Sequence, residues 1–136
     1  MNVTYKENTE LKQQKLLHLY NDVGWTAYIR DPDTLQRAVL NSLYVVTAWA
    51  EDELIGLVRI VGDGETIIYI QDILILKKFQ RKGIASTLME KVLIRFEKVR
   101  QKVLLTNDRV EVRKFYEKHQ FTSCDKGDLV AFARLS

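Results

Sequence analysis

Ile73-Leu74-Ile75-Leu76-Lys77-Lys78-Phe79-Gln80-Arg81-Lys82-Gly83-Ile84-Ala85-Ser86-Thr87-Leu88-Met89 changes its hydrophobic period from strand to helix within a few residues. Its first four residues are uniformly apolar, as in a strand buried on both faces. Beyond Gly83, residues Ala85, Leu88, Met89, Val92, Leu93, Phe96 and Val99 recur at helical spacing, with Glu90, Lys91, Arg95 and Lys98 opposite them. A strand that enters a long helix through a basic, glycine-containing turn is an α/β element. It also has a chemical use. The first turn of a helix presents amides without intrahelical partners and the positive end of the dipole, a combination that holds phosphate. Gly83 lets the backbone approach such a group, Ala85 keeps the space clear, and Arg81 and Lys82 add charge. A plainer reading stands beside it, in which Gly83 is an ordinary loop residue and the basic cluster a solvated face. The pattern is neither a P-loop nor a three-glycine dinucleotide fingerprint.

Working outward, residues 66–76 extend the strand upstream, and Gly62-Asp63-Gly64 forms a hairpin with a strand at 54–61. The polar turn Glu51-Asp52-Glu53 joins that strand to another at 43–50. Asp31 caps a helix with Pro32 in its first position, running to about Asn41. Leu16, Leu19, Tyr20 and Val23 place an earlier helix at about 9–22, after a short strand at 2–6. Downstream, a buried strand is expected at 103–106, a helix at 109–119 and a closing strand at 129–135. The order β-α-α-β-β-β-α-β-α-β gives an α/β (α+β) fold with a mixed, largely antiparallel sheet. With no repeat, low-complexity stretch or Pro/Gly-rich linker, residues 1–136 read as a single domain.

Bulk properties bound the function without choosing it. The 136 residues are 46% hydrophobic and 29% charged, as in ordinary globular proteins. One cysteine, Cys124, and two histidines provide no zinc-like ligand cluster, so no metal is expected. The chain has no membrane-length apolar run and no signal-peptide pattern, which points to the cytoplasm. A net charge of +3 suits an anionic cofactor and nucleic acid equally, because 21 basic residues are interleaved with 18 acidic ones.

The 73–89 stretch resembles the main motif of the GNAT superfamily of N-acetyltransferases, Gln/Arg-x-x-Gly-x-Gly/Ala after an apolar strand. Phe115-Tyr116-Glu117-Lys118-His119-Gln120-Phe121 resembles the second motif, Phe-Tyr-Glu-Lys-x-Gly-Phe. Two departures stand out. Gln120 replaces the usual glycine, and Arg109 and Val112 stand where small or polar residues usually open the second helix, leaving Asn107 as a substitute for the usual cofactor-contacting asparagine.

This resemblance implies a GNAT-like sheet of about six to seven strands flanked by four helices, with a splay between parallel strands at 73–76 and 103–106. It implies acetyl-CoA as co-substrate. The contacts would come from Ile73, Leu74, Ile75, Gln80, Arg81, Lys82, Gly83, Ile84, Ala85, Ser86 and Asn107. Backbone atoms of Ile73 and Ile75 would pair with the pantetheine arm like an added strand, and an amide near Leu74 would stabilise the oxyanion.

The implied reaction is direct acetyl transfer to a primary amine of a small molecule in a ternary complex. Tyr116 occupies the general-acid position. Asp72, an acid within an apolar strand, is the candidate base or amine anchor, and a structural pair with Arg59 is its alternative. Trp25, Tyr28 and Tyr44 are expected to line the acceptor pocket, which suits an alkylamine or aryl-alkylamine. His18, His119 and Cys124 are expected to pack or face solvent. Family acceptors range over metabolites, antibiotics, polyamines and protein N-termini, and the sequence does not choose among them. A homodimer is compatible with the fold.

Two other classes compete. One is a CoA-binding module without turnover. The other is a basic nucleic-acid-binding domain using Lys77, Lys78, Arg81 and Lys82, against which stands the lack of any groove-reading motif or aromatic RNA platform.

Overall fold

The computed structural model describes residues 2–136, which fall into two compact units divided after Leu105. In the first, β1 (Thr4–Glu7), β2 (Tyr44–Ala50), β3 (Glu53–Gly62), β4 (Ile67–Ile75) and β5 (Gln101–Val103) form one sheet in sequence order. The first four strands are antiparallel, and β5 joins β4 in parallel. Short turns explain the antiparallel part. Between β3 and β4, Gly62 has φ 131°, and a Cβ there would lie 2.5 Å from the Ile67 carbonyl oxygen, so only glycine fits. Asp63 completes that turn by accepting from the amides of Glu65, Thr66 and Ile67.

Helices α1 (Gln13–Asp22), α2 (Thr26–Ile29) and α3 (Pro32–Leu40) lie on one face, and α4 (Ile84–Arg95) on the other. Asp31 caps α3 as expected, accepting from the Thr34 amide at 3.2 Å with Pro32 next in the chain. Because both faces are covered, β2 and β3 are buried along nearly their whole length, which explains their unbroken apolar runs. The core includes Leu16, Leu19, Leu57, Val58, Ile60, Leu88 and Val92.

Several expectations are corrected. The sheet has five strands among the described residues rather than six to seven. The strand expected at 103–106 is β5 at Gln101–Val103, ending where the longer one was to begin. Residues 129–135 form no strand. Their apolar character suits one, but a strand exists only by pairing and the sheet ends at β5, so Leu129, Val130, Phe132 and Leu135 stay exposed. Five α-helices replace the expected four among the described residues, the addition being the single turn α2.

The second unit, Thr106–Ser136, holds α5 (Val110–Lys118). Arg113 ties this unit together, contacting Asp108 at 2.6 Å, Ser123 at 3.1 Å and Asp125 at 3.2 Å. Phe121 returns against the helix, its ring edge-on to Tyr116 and its amide donating to the Tyr116 carbonyl.

Candidate active site

The parallel pair β4–β5 is joined only at Ile67↔Gln101, Ile68↔Lys102 and Tyr69↔Val103. From Ile70 onward β4 has no ladder partner on that side. The register with β3 shifts in the same region, from Ile60↔Ile70 to Arg59↔Asp72, so Gln71 is an extra, bulged residue. Bulges sharpen strand twist and redirect the strand beyond them. The parallel ladder thus ends beside a bulge, and the outer edge of 71–75 has no strand partner among the described residues.

Backbone alternation assigns the groups on that edge. The Leu76 amide donates to the Ile55 carbonyl, which fixes Leu76, Leu74 and Asp72 as the residues whose main-chain groups face β3. Ile73 and Ile75 therefore direct theirs to the edge away from β3, while the Leu74 amide points into the β3 ladder. The Ile75 carbonyl is already taken, accepting from the Gln80 side-chain amide at 3.0 Å. Gln80 thereby fastens the next turn to the strand end.

That turn is a 3-10 segment, Lys77–Phe79, whose Lys77 amide donates to Asp22 at 2.7 Å. Arg81 and Gly83 both take left-handed backbone, with φ 64° and 83°. Gly83 is the N-cap of α4, and no side chain caps the helix there. Its first turn carries no acidic residue, and the space where a Gly83 side chain would point is empty to 4 Å. An uncapped helix start, an open approach and exposed Arg81 and Lys82 form a cradle for an anion. Ile84 is core, whereas Ala85 and Ser86 are part-buried at its mouth.

On the α1–α3 face of the sheet, beside the bulge, lies a buried polar cluster. Asp72 is 4% exposed and Arg59 6% exposed, and they pair at 2.9 Å between the Arg59 Nε and Asp72 Oδ2. Tyr20 donates to Asp72 Oδ2 at 2.9 Å and Tyr28 to Oδ1 at 2.8 Å. Arg59 also reaches the Ala38 carbonyl and Ser42. The pairing foreseen between Asp72 and Arg59 is present, and two phenols join it. Burial, then the Asp72 charge, push both tyrosines above the ordinary phenol range. Both carboxylate oxygens are occupied by donors, so this aspartate is tied into the internal frame of the fold.

Of the three aromatic residues expected at the acceptor pocket, two are neighbours. Trp25 and Tyr28 lie together, ring centres 6.1 Å apart, each also edge-on to Tyr20. Both are part-exposed. Tyr44 is corrected: it is 2% exposed and packs edge-on to Phe96 beyond the end of α4, under Arg95, with its hydroxyl on Glu7. Strand period two is the reason, because Val45 stands opposite Arg59, so Tyr44 must face the other way. Tyr20 and Gln71 were missed. A buried tyrosine needs an acceptor and a buried aspartate needs donors, and that complementarity was the available signal.

Within the second unit, Tyr116 is half-buried on α5 and Asn107 is exposed ahead of it, its carbonyl accepting from the Arg109 amide. His119 is buried against Phe115, His18 is exposed near Glu53, and Cys124 is an exposed free thiol.

Known proteins share both the sequence pattern and the fold. Residues 7–132 match the acetyltransferase (GNAT) domain family. A GNAT-family acetyltransferase from Streptococcus pneumoniae superposes with a TM-score of 0.87 at 32% identity, covering 99% of this chain and 98% of that one. An aminoglycoside acetyltransferase from an uncultured soil metagenomic sample, solved with sisomicin, has a TM-score of 0.71 at 17% identity, covering 98% and 96%. An aminoglycoside N-acetyltransferase solved with CoA has a TM-score of 0.73 at 16% identity, covering 98% and 95%. The last two share the fold. No curated protein matches the sequence.

Proposed function

This chain belongs to the GNAT acetyltransferase family, and from that premise we propose that it moves an acetyl group from acetyl-CoA to the primary amine of a small molecule. The observation that carries this reading is the unpaired outer edge of β4 beyond Tyr69, followed in the chain by a helix start that no side chain caps. An extended arm suits an unpaired strand edge, and a pyrophosphate suits the helix start. CoA complexes among proteins of the same fold support the choice of cofactor.

In this reading the outward backbone of Ile73 and the Ile75 amide hold the pantetheine arm. Amides of Gly83, Ile84 and Ala85, with Arg81 and Lys82, hold the pyrophosphate. Gln80 acts one step back, fixing the turn to Ile75. Acetyl-CoA supplies a thioester already activated toward amines. Tyr116 is assigned the protonation of the departing thiolate, as its position in the second motif implies, since a phenol carries a proton that it can give. Asp72 is proposed to act through Tyr28, holding it in place, since its own oxygens are engaged. Proton loss from the amine is then assigned to water at the open side of the bulge. Trp25 and Tyr28 form the wall of the acceptor pocket.

Aminoglycoside acetyltransferases of the same fold support a small-molecule amine as acceptor. The exposed free thiol of Cys124 fits a reducing cytoplasm.

The testing experiment has two arms. Acetyl-CoA at saturation should raise the thermal midpoint, and an amine-library screen following free-thiol release should find at least one acceptor. No thermal shift would remove the cofactor assignment. A shift with no thiol release from any amine would favour a CoA-binding module without turnover.

A further inference from the structure

We propose that Tyr28 is the residue that selects a protonated amine as acceptor, and that Asp72 is a positioning residue that makes it a one-way hydrogen-bond acceptor. The proposal rests on the acetyltransferase reading above and deepens it. Its ground is the juxtaposition of four groups at the bulge of β4. The Tyr28 hydroxyl donates to Asp72 Oδ1 at 2.8 Å and accepts from the Gln71 side-chain amide at 3.1 Å. A phenol has one hydrogen to give, and here it is given inward, to a buried carboxylate that cannot turn away. Arg59 and Tyr20 hold that carboxylate from behind, both on Oδ2, which leaves Oδ1 for Tyr28 alone among the described residues.

The outward side of the Tyr28 oxygen can therefore only accept. Gln71 fills it in the free protein. Gln71 is exposed and is the bulged residue itself, so its amide can swing away at little cost when a better donor arrives. An ammonium is that donor, because a charged N–H makes a stronger hydrogen bond than a neutral amide. The neighbouring Trp25 ring, tilted 34° to Tyr28, gives the same cation an aromatic face. Arg59, the cation of the cluster, lies buried behind Asp72 and is neutralised by it. The outward face thus combines a directed lone pair with an aromatic face. That combination discriminates between a primary ammonium and a quaternary one, since both satisfy the ring and only the first satisfies the oxygen.

The test uses 2-phenylethylamine and its N,N,N-trimethyl counterpart, titrated calorimetrically into the full chain saturated with CoA. The primary ammonium should bind about tenfold more tightly than the quaternary one, the range expected for one hydrogen bond to a charged group. Tyr28→Phe should abolish that preference while leaving quaternary and CoA affinities unchanged. Trp25→Leu should weaken both amines together and preserve the preference. Asp72→Asn should shrink the preference. If that variant does not fold, Tyr28→Phe, a substitution at a part-exposed position, carries the test alone. Equal binding of the two probes by the wild type, or a preference that survives Tyr28→Phe, overturns the proposal. So does absence of binding by either amine while CoA binds normally. Failure of CoA itself to bind strikes the acetyltransferase reading instead, so the two failures are distinct.

Discussion

The two polar regions of the first unit treat charge in opposite ways. At the start of α4, Arg81 and Lys82 face solvent beside a glycine with nothing within 4 Å of its side-chain position. Beside the bulge of β4, Asp72 and Arg59 are almost wholly enclosed, and each carboxylate oxygen has its donor. One region is left open to solvent at its charged side chains, as a binding surface must be. The other is satisfied internally and serves as a fixed frame. Equal changes of charge in the two should therefore read out in different experiments, one in binding and the other in folding.

The largest effect is expected where the frame is broken. Asp72→Ala leaves the Arg59 guanidinium buried without its partner and should lower folding stability by about 3–5 kcal/mol in urea titration. Arg81→Gln with Lys82→Gln should leave the urea midpoint unchanged. Comparable losses from both would erase the contrast.

Tyr116→Phe should lower turnover about 100-fold or more, within the range for loss of a general acid, while CoA affinity is kept. Steady-state kinetics beside a CoA titration measure the split. Loss of CoA affinity in parallel would mean that Tyr116 binds rather than reacts.

At the open region, Gly83→Glu should abolish the thermal shift produced by acetyl-CoA, which at a hundredfold excess over Kd amounts to about 2.7 kcal/mol of stabilisation. Part of any loss of intrinsic stability in that variant comes from the left-handed φ of 83°. Gly83→Ala carries the same strain without charge or reach, and should keep most of the cofactor-induced shift. If both variants lose it equally, backbone shape rather than anion exclusion is responsible.

The smallest expected effect is a pH dependence confined to the frame. Tyr20 and Tyr28 have folded pKa values above the unfolded phenol, raised first by burial and then by the Asp72 charge. The folded state therefore holds their protons more tightly. This contribution is complete below about pH 10, the unfolded phenol value, and declines as pH rises further. Tyr28→Phe with Tyr20→Phe should flatten that alkaline decline in urea midpoints measured from pH 8 to 11. A decline unchanged by the double substitution would show that other groups cause it.

Legibility in the sequence tracked the range of the physics. Local chemistry was readable: Asp31 and Pro32 start α3, glycines turn the β3–β4 hairpin, and the change of period at Gly83 starts α4. The Arg59–Asp72 pair was readable too, because a charge in an apolar strand must find its opposite on a neighbouring strand. The same logic stops short of Tyr20, whose helical spacing looks like plain core until a carboxylate 52 residues away supplies its acceptor. Tyr44 was misplaced for a related reason. Its residue type suggests a pocket, but the side it takes depends on a register fixed only when β2 meets β3.

By itself, then, the sequence determined the order of most elements, the two family motifs and the presence of a cationic turn before a helix. These depend on neighbours within a few residues. Tertiary structure alone decided that the sheet has five strands among the described residues, that β4 bulges at Gln71 just past its pairing with β5, and that Tyr28 donates its hydrogen bond to Asp72. Each of these depends on which distant backbone or side chain supplies the other half of a hydrogen bond, and residue spacing along the chain does not encode that choice.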